Sequence, residues 1–202
     1  MKKINVKSFW IKKRNSGFIK KHIINPPKKS EVLIKTIYSG ISFGTEKVVF
    51  TGSVPKSQIK MMRCPHQEGE FGSDVKYGYM NVGKVIEGSK EFKDKFVYTL
   101  FPHQDFFVLR EEELVIIPSS VPKKRCLLTA NMETSLNAIW DTLPSPGDKA
   151  IVIGAGIVGI LTAYLLKSIK GMDVTIIDTD KVKAKYAKHF GINFQDRIRK
   201  CP

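Results

Sequence analysis

Ile4 to Ile11 and Phe18 to Ile24 mix strand-forming apolar residues with polar ones, and the polar tract between them, holding Asn15, Ser16 and Gly17, predicts a β-hairpin. Pro26 and Pro27 end it. Glu31 to Ser39 (EVLIKTIYS) alternates and is strand-like, then passes through Gly40 to Glu46 into a short helix running to Phe50. Thr51 to Val75 shows no period and much Gly, Pro and Ser, so it reads as a long loop of the kind that forms a lid or a substrate-facing wall. Tyr77 to Glu87 (YGYMNVGKVIE), Phe96 to Leu100, Asp105 to Leu109 and Leu114 to Ile117 are strand-like again. The chain as far as Pro118 is thus mostly β, with short strands at turn-punctuated intervals, as in a small barrel.

Past Pro118 and Pro122 the pattern changes. Lys123 to Thr129 and Met132 to Leu143 have helical spacing, and Pro144, Pro146 and Gly147 form a junction, which places a domain boundary between residues 144 and 145. An apolar run then breaks into glycine (IVIGAGIVG, Ile151 to Gly159) and continues as the helical ILTAYLLKSI. A second apolar run, Asp173 to Ile177, ends at Asp178; a helix over Lys181 to Phe190 follows, with Gly191 as its C-cap.

Gly154, Gly156 and Gly159 have the G-x-G-x-x-G spacing at a strand-to-helix turn. In a dinucleotide-binding unit the first glycine permits the tight turn, the second lets the backbone approach a pyrophosphate, and the third lets helix pack on strand. The phosphates then rest on the helix N-terminus, on the backbone of Gly154, Gly156, Ile157, Val158 and Gly159. Asp178, at the end of the next strand, is placed to accept from the adenosine ribose hydroxyls and to repel a 2′-phosphate, which points to NAD(H) rather than NADP(H). The competing interpretation is an ordinary strand–turn–helix with incidental glycines. A full domain of this class uses six parallel strands in the order 3-2-1-4-5-6. Two are legible here, so the unit reads as incomplete, with sheet edges for self-association or a partner to cover.

The charge of +15 raises the question of nucleic acid, but lysine supplies 28 of the 34 basic residues and these are scattered. Few arginines leave little for bidentate recognition of bases or phosphates, so no nucleic-acid partner is expected. Cys64, Cys126 and Cys201 show no C-x-x-C spacing and no even framework, which fits a reducing cytoplasm. Charges at Lys2, Lys3, Lys7, Lys12, Lys13 and Arg14 leave no apolar leader, and no run approaches a membrane span, so neither a secretory signal nor a membrane partner is expected.

VLIKTIYSGISFGTE (Val32 to Glu46), YGYMNVGKVIE (Tyr77 to Glu87) and PGDKAIVIGAGIVGILTAYLLK (Pro146 to Lys167) resemble the medium-chain dehydrogenase/reductase family of zinc-type alcohol dehydrogenases and quinone reductases. SGISFGTE with FTGSVP (Phe50 to Pro55) is most similar to the branch that includes bacteriochlorophyllide dehydrogenase. The resemblance covers nearly the whole chain but only the front of the family's usual length. It implies an α/β fold with a β-rich first domain, a GroES-like β-barrel with bridging helices over 1–144, then the first part of a Rossmann doubly wound parallel sheet over 145–202.

The resemblance also implies a chemistry. The family's first catalytic zinc ligand falls at Phe43 or Ser42, the second at Gly78-Tyr79-Met80 and the third near Thr129 or Ala130, none of which is a usual zinc donor. No cysteine lies between Gly88 and Arg110, where a structural zinc lobe belongs. Hence no metal is expected, although Cys64, His66 and His103 are the residues from which a rebuilt site would draw. Thr45 matches the hydroxyl that relays the alcohol proton, and Tyr79 offers a phenol to a developing oxyanion; Tyr79 also reads simply as a packed barrel aromatic. Glu46 is expected to orient its neighbours. The function implied is a zinc-independent, NAD(H)-dependent oxidoreductase acting on an alcohol, a carbonyl or an activated double bond as small-molecule substrate. The alternative is a truncated, non-catalytic fragment of such an enzyme.

Overall fold

A computed structural model describes residues 3–197. Cys201 lies outside the described residues. Backbone contacts gather into two compact units, one up to Leu128 and one from Thr129 on.

The first unit begins with the hairpin, β1 (Ile4–Lys13) and β2 (Ser16–Ile24), paired antiparallel from Ile4↔Ile24 to Lys13↔Ser16. Asn15, with positive φ, makes the turn. β3 (Glu31–Ser39) and the helix α1 (Phe43–Phe50) follow, as the alternation predicts. The long segment after α1 is irregular apart from a 3₁₀ turn at Lys56–Gln58, the two-residue β4 (Glu68–Gly69) and β5 (Val75–Lys76). β6 covers only Asn81–Glu87, because Gly78 takes φ +130° and breaks the run that starts at Tyr77. β7 (Phe96–Thr99), β8 (Phe106–Arg110) and β9 (Val115–Ile116) complete the unit.

These strands form two antiparallel sheets, β2-β1-β5-β4 and β8-β3-β6-β7-β9, joined by a bridge between Ser8 and Gln104. Val32, Ile34, Val85, Val97, Phe101, Phe107 and Leu109 fill the interior of the second sheet, with Phe101 and Phe107 stacked at 3.9 Å. Each fully buried Val or Ile stabilises by about 1.5–3 kcal/mol. One charge is buried with them: the Lys76 side chain is 2% exposed, hydrogen-bonds Gln104 Oε1 at 2.9 Å and ion-pairs with Glu68 at the surface.

In the second unit, α2 (Thr129–Thr142) packs on α3 (Ile157–Lys167), and the single hydroxyl proton of buried Ser135, shared between Asn131 O in its own helix and Val158 O, ties α2 to α3. β10 (Lys149–Ile153), α3 and β11 (Asp173–Ile177) form a β-α-β unit with β10 parallel to β11. A 3₁₀ turn and α4 (Ala184–His189) lead through Gly191, at φ +65°, to β12 (Asn193–Gln195). The count of two parallel strands is corrected to three, in the order β10-β11-β12. Asn193, Phe194 and Gln195 carry one apolar residue among three, too little to signal a strand, and pairing with β11 alone makes them one.

The core of this unit is Ala155, Ile160, Ala163, Leu166, Met172, Val174, Ile176, Ala187 and Ile192. Ala150 and Val152 face it from β10, whereas the alternating Ile151 and Ile153 are 57% and 75% exposed. Among the described residues no helix is long and apolar enough to cross a membrane.

Candidate functional site

The first site is the turn between β10 and α3. Gly154 takes φ +99°, a conformation side chains rarely adopt, and its N–H donates to Ile177 O at 2.7 Å, locking the turn to the end of β11. A Cβ on Gly159 would stand 1.8 Å from Gly154 O, so only glycine lets the helix start this close to the turn. Gly156 differs: it is the N-cap of α3, at φ −76° and ψ −177°, and a Cβ there would meet nothing within 4 Å. No side chain caps α3. The backbone at Gly156, Ile157 and Val158 therefore borders open space at the positive end of a helix, a setting that fits an anionic group.

Asp178 closes this turn from the side. Its Oδ2 accepts from Ala155 N at 2.7 Å and from Lys183 Nζ at 2.8 Å, and its Oδ1 accepts from Asp180 N at 2.8 Å. The bond from Lys183, with those from the two N–H groups, holds its carboxyl down at about 2, and in return Asp178 pushes the Lys183 ammonium up. Sequence alone marks Asp178 as a ligand acceptor; its part in bracing the glycine turn, and Lys183 as its partner, are visible only in three dimensions.

The second site lies wholly in the first unit. Glu46, buried on α1, accepts from His103 Nε2 at 2.7 Å through Oε2 and from Ser42 N at 2.8 Å through Oε1. His103 Nδ1 hydrogen-bonds Ser39 Oγ at the end of β3. A carboxylate only accepts, so Nε2 carries the proton facing Glu46, and in the neutral ring Nδ1 accepts from the Ser39 hydroxyl. Gly78 makes room, since a Cβ on it would lie 2.9 Å from His103 Nε2. Ser39, Glu46 and His103 line a cavity of about 460 Å³ whose other walls include Phe9, Ile11, Ile41, Phe43 and Phe50.

Sequence reasoning assigned Glu46 an orienting role and missed Ser39. It also placed His103 among residues for a rebuilt metal site, but the structure does not gather that set. Cys64 is buried in the core, its thiol pushed up by desolvation, and His66 pairs with Glu113 at 2.7 Å. No disulfide joins Cys64 to Cys126. Thr45 is half-buried on α1 beside Glu46. Tyr79 packs against the cluster of Ile11, Val49, Cys64, Val75 and Tyr77, edge-on to Tyr77. Neither lines the cavity.

The zinc that the resemblance implies has no fitting donors at its expected positions: Ser42, Phe43 and Tyr79 supply no thiolate, imidazole or carboxylate. Among the described residues no three His, Cys, Asp or Glu side chains converge on a point that would hold a metal.

No protein-family profile matches the chain. Sorbitol dehydrogenase of Halalkalibacterium halodurans is 31% identical over 90 residues, which is 44% of this chain and 26% of that protein. S-(hydroxymethyl)glutathione dehydrogenase of Escherichia coli is 24% identical over 211 aligned residues, 83% of this chain and 57% of that one. Among solved structures, acetophenone reductase from Geotrichum candidum in complex with NAD superposes with a TM-score of 0.77 at 17% identity, over 97% of this chain and 64% of that chain. At that identity the likeness speaks for the fold. This chain spans less than two thirds of the length of each of these proteins. With sequence matches to two dehydrogenases and the fold of a third oxidoreductase, on an α/β framework of antiparallel β-domain and parallel sheet, the chain is similar to the medium-chain dehydrogenases and reductases and shares their fold.

Proposed function

We propose that the protein is an NAD(H)-dependent oxidoreductase that acts, without zinc, on an alcohol, a carbonyl or an activated double bond. The observation that carries this reading is the β10–α3 turn, where Gly156 borders empty space at an uncapped helix N-terminus and Asp178 stands beside it. The backbone of Gly154, Gly156, Ile157, Val158 and Gly159 holds the pyrophosphate, and Asp178 takes the adenosine ribose. When bound, the dinucleotide supplies or accepts a hydride. The chain's own residues bind and orient the substrate and handle its proton; Thr45, adjoining Glu46 in α1, and Tyr79 are the groups the resemblance puts at the reacting oxygen.

A cytoplasmic location accompanies this reading, supported by the lack of a disulfide between Cys64 and Cys126. So does self-association or a partner covering the exposed Ile151 and Ile153, whose parallel sheet is ordinarily packed on both faces. Calorimetric titration of NADH into the purified chain tests the cofactor. Saturable one-to-one binding, weaker for NADPH, is expected; no binding of either at millimolar concentration overturns it.

A further inference from the structure

We propose that the outer edge of the first hairpin is a docking site for an acidic, extended segment of a partner protein, which joins the sheet as a strand beside β2. β2 ends its sheet, so one side of it has no neighbouring strand. The direction of its backbone follows from β1. Phe9 N donates to His103 O and Asp105 N donates to Lys7 O, so the odd-numbered residues of β1 turn their backbone groups away from β2 and the even-numbered ones bond it. In the register Val6↔His22 and Ser8↔Lys20, β2 therefore commits His22 and Lys20 to β1 and points the N–H and C=O of Ile19, Lys21 and Ile23 outward. Among the described residues no backbone hydrogen bond reaches these outward groups. Their side chains are open too: Ile19 and Ile23 are 59% and 57% exposed, with Lys21 exposed between them.

Charge chooses the occupant. From Met1 to Ser30 the sequence holds nine Lys, one Arg and no Asp or Glu. Among the described residues, Lys7, Lys12, Lys13, Arg14, Lys20 and Lys21 enter no ion pair. Lys20 lies over the Trp10 ring at 4.3 Å, and Lys7 stands directly across from Lys21. Like charges opposite one another in an antiparallel pair destabilise it, so the hairpin carries a repulsion that an arriving carboxylate relieves. A second copy that paired edge to edge, with Ile19 against Ile23, would set Lys21 directly against its counterpart, and lysines ordinarily guard an edge in this way. An acidic strand meets no such barrier. The free backbone groups and the isoleucines at alternate positions also favour a strand over a nucleic acid or an anionic lipid surface, neither of which has N–H and C=O groups to complete a ladder. The complementary segment has adjacent acids opposite Lys20 and Lys21, β-branched residues opposite Ile19 and Ile23, and a further acid toward Lys12, Lys13 and Arg14 at the turn.

The probe is a capped peptide, Thr-Val-Thr-Glu-Glu-Val-Thr-Glu, which sets its acids on those lysines when it runs antiparallel to β2. It is titrated into the purified chain and followed by ¹⁵N-resolved NMR and amide exchange. Saturable binding is expected, with the amides of Ile19, Lys21 and Ile23 gaining protection that those of Lys20 and His22 already have. A peptide with Lys at each Glu should bind at least about ten-fold more weakly, and so should the acidic peptide N-methylated at the residues that face Ile19, Lys21 and Ile23. Lys21→Glu, at an exposed position, should close most of the gap between the acidic and basic peptides. Raising salt from about 0.05 M to about 0.5 M should weaken the acidic peptide several-fold. No binding at millimolar peptide, equal binding of the N-methylated peptide, unchanged exchange at Ile19, Lys21 and Ile23, or a gap that Lys21→Glu leaves as it was would each overturn the proposal. So would tighter, Lys21-dependent binding of single-stranded DNA or of phosphatidylserine vesicles, which would assign the edge to a polyanion instead.

Discussion

The two glycines at the head of α3 separate folding from ligand binding. Adding one methyl at Gly159 places Cβ 1.8 Å from Gly154 O, with main chain on both sides of the clash. Helix and turn must part by on the order of 1 Å, an overpacking that costs about 1–3 kcal/mol. Alanine returns about 0.4–1 kcal/mol by restricting the unfolded chain. The net loss of about 1–2 kcal/mol lowers the melting temperature of a unit this small by roughly 5–15 °C. Gly156→Ala meets no protein atom within 4 Å and needs no unusual backbone angle, so its stability should stay within about 0.5 kcal/mol of the unaltered chain, the unfolded-state gain offsetting a poorer N-cap. Its methyl does occupy the space assigned to pyrophosphate, and NADH affinity should fall at least about ten-fold, or about 1.4 kcal/mol. Thermal melting by circular dichroism and calorimetric titration of NADH read the two effects. Unchanged NADH binding by Gly156→Ala would refute the placement of the phosphates, and an unchanged melt for Gly159→Ala would refute the packing argument.

Asp178 has its carboxyl lowered to about 2, so its bonds stabilise the glycine turn fully above the unfolded value of about 4 and are lost as pH falls toward 2; hydrogen exchange at Ala155 should show protection collapsing across that window, and Asp178→Asn should remove the dependence. Lys183→Met takes away the cation that partly neutralises Asp178, so the ratio of NADPH to NADH dissociation constants should rise by a few-fold, read by titrating both. Glu68→Ala strands the Lys76 ammonium, buried at 2% exposure, and should cost about 1–3 kcal/mol in urea unfolding, whereas Lys76→Met removes the charge itself and should cost less. Ile153→Lys on the exposed face of β10 should abolish any concentration-dependent dimer seen by analytical ultracentrifugation, while leaving the monomer folded.

What the sequence showed of this protein was what is encoded locally. The hairpin, β3, α1, β10 and α3 each carry their own punctuation, so their positions were legible to within about three residues. β12 was not, because its strand character comes from pairing with β11 rather than from its three residues. The glycine turn was legible because backbone conformation and close packing leave a mark in residue type at fixed spacing. Ser39 and His103 were not, since 64 residues separate them and only the pairing of β3 with β8 brings their neighbourhoods together. The one signal at hand was the polar pair His103-Gln104 set between Pro102 and the strand that follows, in a stretch otherwise rich in phenylalanine.

The two sites draw on different parts of the chain, and that bears on how each is to be judged. Ser39, Glu46, His103 and Gly78 belong to β3, α1 and the loops before β6 and β8, all in the first unit. Gly154, Gly156, Gly159, Asp178 and Lys183 belong to the second. Among the described residues, the hydrogen bonds that fix His103 come from the first unit and those that fix Asp178 from the second. Effects of substitutions at the two sites should therefore add. Combining Gly156→Ala with Glu46→Gln should weaken NADH as much as Gly156→Ala alone, and lower the stability of the first unit as much as Glu46→Gln alone. A departure from additivity of more than about 0.5 kcal/mol would mean that the two halves are coupled.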